Sequence, residues 1–92
     1  MKKIPRRDRL KIYGDLLAVL YEEAKTEKIS SSLLQVKANV PFDRLKIYIS
    51  ELSDLGLIEN EASLKLTEKG KEYIREYKKV LAFIQRMGIK YR

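Results

Sequence analysis

Ninety-two residues suffice for one small domain with a single core, and 45% apolar with 36% charged residues is a globular composition rather than a disordered one. The absence of cysteine and histidine excludes disulfides and removes the usual zinc ligands, the commonest general base and the thiol nucleophile. The net charge of +7 is unevenly placed, with six bases and one acid in residues 1–12 against four acids and no base in residues 50–62.

In chain order, Lys2 and Lys3 suggest the start of a signal peptide, but Arg6, Arg7, Asp8, Arg9 and Lys11 occupy the place of its apolar region. No run of apolar residues approaches a membrane span, so the chain is expected to be cytoplasmic and unprocessed. Residues 1–7 read as a basic arm around Pro5. The first helix is predicted over Asp8–Lys25. Leu10, Tyr13, Leu17, Leu20 and Ala24 form one stripe, and Ile12, Leu16 and Val19 form a second beside it. A stripe that wide predicts neighbours on two sides. Gly14 costs about 1 kcal/mol relative to alanine inside a helix. It marks either a close helix approach or a tolerated surface position.

After a polar connection, Ser32–Ala38 is predicted as a short helix with Leu34 and Ala38 on its apolar side. Ser31 or Ser32 suits its cap, and Asn39 its left-handed end. Val40 is an apolar plug, and Pro41 suits the first turn of the next helix, where no amide is needed. Leu45, Tyr48, Ile49 and Leu52 fall at i, i+3, i+4 and i+7, one buried stripe that Gly56 ends. Val36, Leu34, Leu45, Ile49, Leu52 and Leu57 are expected to complete the core. Leu57-Ile58-Glu59 and Leu64-Lys65-Leu66, joined by Asn60-Glu61-Ala62-Ser63, predict a small β-hairpin.

The last helix is predicted from Thr67, its cap, to Met87, with Gly88 ending it. Tyr73, Tyr77, Val80, Ile84 and Met87 have heptad spacing, widened by Ile74 and Leu81. Its length of about 30 Å exceeds what so small a domain covers. The half beyond Lys79 is therefore expected to pair with a second copy, the competing expectation being that it folds back on the first helix. The predicted fold is thus mainly α with a small β-hairpin. It comprises an arm (1–7), a winged helix-turn-helix domain (8–66), a long C-terminal dimerisation helix (67–87) and a tail (88–92).

Helix, corner, helix and hairpin is an order that places its second helix in the DNA major groove. The same residues also suit a module that binds only proteins. No catalytic constellation stands out. The four glycines are too scattered for a phosphate loop, and Glu22 and Glu23 diverge on a helix. Enzyme activity, cofactor, metal, small-molecule ligand and membrane are not expected.

Lys37-Ala38-Asn39-Val40, Leu45-x-x-Tyr48-Ile49-x-x-Leu52-x-x-x-Gly56-Leu57-Ile58 and Leu66-Thr67-Glu68-Lys69-Gly70-Lys71-Glu72-Tyr73 together resemble small archaeal winged-helix proteins of the "ten-a" chromatin-like type. The likeness covers roughly residues 6–80. It implies a DNA-binding dimer joined through a C-terminal coiled-coil helix, either a transcription regulator or an architectural protein. The chain departs from that pattern in a shorter last helix, a longer connection at 26–30, and Pro41 in place of a small polar cap. Its short form is also similar to winged-helix regulators of archaeal viruses.

On the second helix Asp43, Ile47, Ser50 and Asp54 point outward, with Arg44 and Lys46 on the flanks. Arg44 suits a bidentate pair with guanine, and Ile47 suits cover of a thymine methyl. The expected DNA contacts are Lys2, Lys3, Arg6, Arg7, Arg9, Ser31, Ser32, Lys37, Asp43, Arg44, Lys46, Ile47, Ser50 and Lys65. Those of the homodimer are Val80, Leu81, Ile84 and Met87, with Tyr77 and Phe83 flanking. The partners expected are double-stranded DNA and a second copy of the chain.

Overall fold

The computed structural model describes residues 8–23 and 30–90. They form four helices, α1 (Arg9–Glu23), α2 (Ser31–Ala38), α3 (Phe42–Asp54) and α4 (Glu68–Met87). The predicted arm, most of the connection at 26–30 and the last two tail residues lie outside the described residues.

Asp8 starts α1, its Oδ1 accepting from the Lys11 amide at 2.9 Å. Ile12, Leu16, Leu17 and Leu20 are buried, and the helix meets both α2 and α4, as the width of its stripe predicts. Ser30 caps α2 through the Leu33 amide at 3.1 Å, one residue before the cap expected at Ser31 or Ser32. Asn39 ends it at φ 57°, and its amide and that of Val40 bond back to the carbonyls of Val36 and Gln35. Val40 is buried as the expected plug. Val36 corrects the sequence reading, for it is 74% exposed rather than in the core. Leu34 and Ala38 take the inner side of this eight-residue helix, and a residue two positions from Leu34 falls on the opposite side.

Pro41 stands just before α3, extended at ψ 148°, rather than inside its first turn. Leu45, Tyr48, Ile49 and Leu52 are buried as the spacing predicts. Gly56, at φ 78°, then closes the helix, with its own amide bonded to Ser53 and that of Leu57 bonded to Leu52. Six side chains (Leu16, Leu17, Leu34, Leu45, Leu52 and Ile58) are almost wholly buried in the shared core. Each contributes about 1.5–3 kcal/mol by leaving water.

The predicted hairpin is replaced by less. Among the described residues there is no strand, only an antiparallel bridge between Ile58 and Leu66. It is flanked by the bonds Glu59 N–H to Lys65 C=O at 2.8 Å and Thr67 N–H to Leu57 C=O at 3.2 Å. The ladder cannot lengthen in either direction. Leu57 is already tied to the end of α3, and Thr67 caps α4 by accepting from the Gly70 amide at 3.0 Å. Toward the tip, Asn60 Oδ1 accepts from the amides of Ala62 and Ser63, and Leu64 adopts φ 57°, which turns it inward to 7% exposure. This abbreviated wing spans 57–67.

Gly70, unfavourable in a first helical turn, is required by packing, since a Cβ there would collide with the Leu57 carbonyl oxygen. Gly14 is the close approach of α1 to α4. A Cβ on it would stand 2.6 Å from Cζ of Tyr77, whose ring lies against the α1 backbone. Tyr73 reinforces the contact by donating its hydroxyl to the Leu10 carbonyl at 2.8 Å. Burial pushes the Tyr73 phenol up to about 12. Beyond Lys79 the cover ends. Val80, Phe83, Met87 and Ile89 are 37%, 48%, 56% and 55% exposed, with Leu81 and Ile84 half-buried. Gly88 closes α4 in the left-handed conformation, as expected.

Candidate nucleic-acid interface

The core stripe of α3 leaves its opposite side in water. Asp43, Arg44, Lys46, Ile47 and Asp54 are exposed there, and Ser50 is half-buried. Between α3, the start of α2 and the wing runs an open groove of about 520 Å3. Leu45, Ile49 and Leu64 form its floor, and Phe42, Lys46 and Glu61 stand at its sides. Ser31 lines the α2 end, and Ser32 is exposed beside it. The Lys46 ammonium lies 5.9 Å from the centroid of the Phe42 ring.

The expected basic contacts separate into engaged and free. Arg9 is engaged, donating from Nε and Nη2 to the two carboxylate oxygens of Glu51 on α3 at 3.0 and 3.1 Å. Its guanidinium also lies 4.9 Å from the Tyr48 ring centroid. Tyr13 donates its hydroxyl to Glu51 as well, and the Tyr13 and Arg9 bonds hold the Glu51 carboxyl below the usual carboxylate range. A residue expected to reach phosphate is thus a tie between α1 and α3. Lys37 is similarly paired with Glu23 of α1 at 3.2 Å, and Lys11 with Asp15 at 3.5 Å. Among the described residues no ion pair involves Arg44, Lys46 or Lys65. Lys46 faces the groove, Lys65 stands exposed on the wing, and Arg44 lies on the other flank of α3. Lys2, Lys3, Arg6 and Arg7 lie outside the described residues.

Phe42 is a feature that the sequence alone does not single out. It is 52% exposed, because the first residue of a helix has no preceding turn to cover it. Its position only 60° from Leu45 on the helix circumference disguises it as a neighbour of the core stripe. On α4, Glu68 pairs with Lys71 at 3.6 Å and Glu76 with Lys79 at 3.2 Å, each three residues apart along the helix. Tyr77, expected at the edge of a contact between copies, is instead 6% exposed and covered by α1 within its own chain. No group of three metal-ligating side chains occurs among the described residues, and no helix there is long and apolar enough to cross a membrane.

Three helices, a tight corner after the second and a short wing ahead of the fourth helix agree with comparison to known families. No curated protein and no solved structure matches the chain. A family model described as winged helix-turn-helix matches residues 6–85, nearly the whole sequence. The chain belongs to the winged helix-turn-helix family, whose domains commonly bind DNA.

Proposed function

We propose that the protein is a dimeric, non-enzymatic binder of duplex DNA, acting as a transcription regulator or as an architectural protein of the nucleoid. The observation that carries this reading is the division of the bases. Those facing the body of the domain (Arg9, Lys11 and Lys37) are held by carboxylates, while Arg44 and Lys46 on α3 and Lys65 on the wing remain free for phosphate. The basic arm would add sequence-independent contacts.

Dimerisation rests on the exposed apolar strip of α4. It runs from Met87 through Phe83 to Val80, and there meets a shallow apolar pocket of about 280 Å3 walled by Leu10, Leu57 and Tyr73. Monomers rarely keep so contiguous an apolar surface in water. A second copy covers it, and two-fold symmetry then offers two α3 helices to one duplex. The experiment is capture of fragmented genomic DNA at two salt concentrations, with sedimentation of the free protein at micromolar concentration. Loss of capture at the higher salt and a species of twice 10.8 kDa support the reading.

A second reading, a protein-docking module, is favoured by Val36 and Ile47, which stand 74% and 55% exposed on α2 and α3. A partner held by those side chains would persist at high salt, where phosphate contacts fail.

A further inference from the structure

We propose that Lys69 is a positioning residue that locks α3 to α4, so that a pair of chains accepts duplex DNA at only one separation of half-sites. This rests on the dimeric DNA-binding reading above and assigns the place in the fold where that separation is chosen.

The last carbonyls of a helix find no partner inside it. Where α3 ends, the successive carbonyls of Leu55, Gly56 and Leu57 are all met by the first residues of α4 and its cap. The Leu55 carbonyl accepts from Nζ of Lys69 at 2.7 Å, and that of Gly56 accepts from the Thr67 hydroxyl at 2.6 Å. The Leu57 carbonyl accepts from the Thr67 amide at 3.2 Å and lies so close to Gly70 that a Cβ there would collide with it. The wing leaves and returns between these bonds. The two helices are therefore fastened at its base, whatever its tip does.

Thr67 and Gly70 also serve α4 itself, as its cap and as part of its first turn. Lys69 is exposed on α4 and spends its ammonium on α3. It supplies what α3 lacks, since the last turn of that helix holds Glu51 and Asp54 and no base, while a helix C-terminus favours a cation. Lys69 and Leu57 also wall the apolar pocket at the end of the α4 strip, so the joint borders the surface assigned to the second copy. Leverage makes the joint matter. Asp43 lies about 18 Å along α3 from Leu55, at 1.5 Å per residue. A tilt of about 10° at the joint carries it about 3 Å, close to the base rise of about 3.4 Å. Two-fold symmetry doubles the change in the distance between the two α3 helices.

The test uses the full chain and the duplexes that it enriches from a random-sequence pool, which should carry paired half-sites at one separation. These are remade with the separation one or two base pairs longer or shorter. Where only one copy can engage, an avidity gain of about 100-fold or more is lost, so the unaltered protein should bind the altered duplexes more weakly by that factor. Lys69→Met should reduce the penalty to about 10-fold or less, with the salt slope unchanged because the ammonium serves a carbonyl and not phosphate. Lys69→Arg, which can still donate to the Leu55 carbonyl, should restore it. Cooperative melting of both variants confirms that they fold. A Lys69→Met protein that loses stability or overall affinity and keeps the full penalty overturns the inference, since Lys69 would then serve the fold alone. Enriched half-sites with no fixed separation also overturn it, while DNA binding stands. A species near 10.8 kDa on sedimentation, or failure to bind any duplex, overturns the dimeric DNA-binding reading itself.

Discussion

Replacing Gly14 with alanine sets two effects of known size against each other. Alanine inside a helix is worth about 1 kcal/mol over glycine, so α1 alone would be stabilised. In the folded chain the new Cβ would stand 2.5 and 2.6 Å from Cδ2 and Cζ of Tyr77. Carbon atoms in contact prefer about 3.5–4.0 Å, so the ring must retreat by about 1 Å. It has little room to do so, being 6% exposed and 6.2 Å, centroid to centroid, from Tyr73, which is itself bonded to α1. Overpacking of this kind costs about 1–3 kcal/mol, and displacing α4 adds to it. We expect Gly14→Ala to be destabilising by about 1–2 kcal/mol net, a fall in Tm of roughly 4–16 °C for a domain of this size. Melting followed by circular dichroism measures it. In a Tyr77→Leu background the clash is gone, and the same change should stabilise by about 1 kcal/mol. If Gly14→Ala stabilises the unaltered protein, α4 is not seated on α1 at this point and the account of the fold fails.

The double change Val80→Glu with Phe83→Glu, on the exposed strip of α4, should give a folded monomer with much weaker DNA binding, since the two half-sites no longer share one ligand; sedimentation reads the mass, and an unaltered protein already near 10.8 kDa would eliminate the dimer. The Glu51 carboxyl, lowered by the Tyr13 and Arg9 bonds, stabilises the fold above the ordinary value of 4.5, and that contribution is lost as pH falls through the lowered value. Glu51→Gln should therefore flatten the fall of Tm on the acid side of pH 4.5, and an unchanged acid limb would show that the cluster does not persist in solution.

Most of the backbone plan is legible in the sequence because it depends on local chemistry. Asn39, Gly56 and Gly88 each end a helix in the left-handed conformation, and the stripe Leu45, Tyr48, Ile49, Leu52 is buried as its spacing requires. What escapes a sequence reading depends on partners distant along the chain. Pairing of Arg9 with Glu51 joins residues 42 positions apart, so composition alone marks Arg9 as a free base. Gly70 reads as a defect in its helix until the Leu57 carbonyl is seen to lie against it. Alternation in Leu64-Lys65-Leu66 is real, yet the end of α3 and the cap of α4 claim the residues that a longer hairpin ladder would need. Hydrophobicity puts Val36 in the core, although its place opposite Leu34 on a short helix already argues against it.

The central claim is that free bases on α3 and the wing, and not those engaged within the domain, meet the phosphate backbone. It is tested most directly by the dependence of duplex affinity on salt for three proteins. These are the unaltered chain, an Arg44→Ala, Lys46→Ala, Lys65→Ala variant, and an Arg9→Met, Lys37→Met variant. Removing one phosphate-neutralising base lowers the slope of log affinity against log salt by about 0.9, so the first variant should flatten it by up to about 2.7. The second should bind more weakly only as far as it loosens the ties of α1 to α3 and to α2, with its slope unchanged. A slope that flattens in the second variant and persists in the first would contradict the account and return the interface to the other side of the domain.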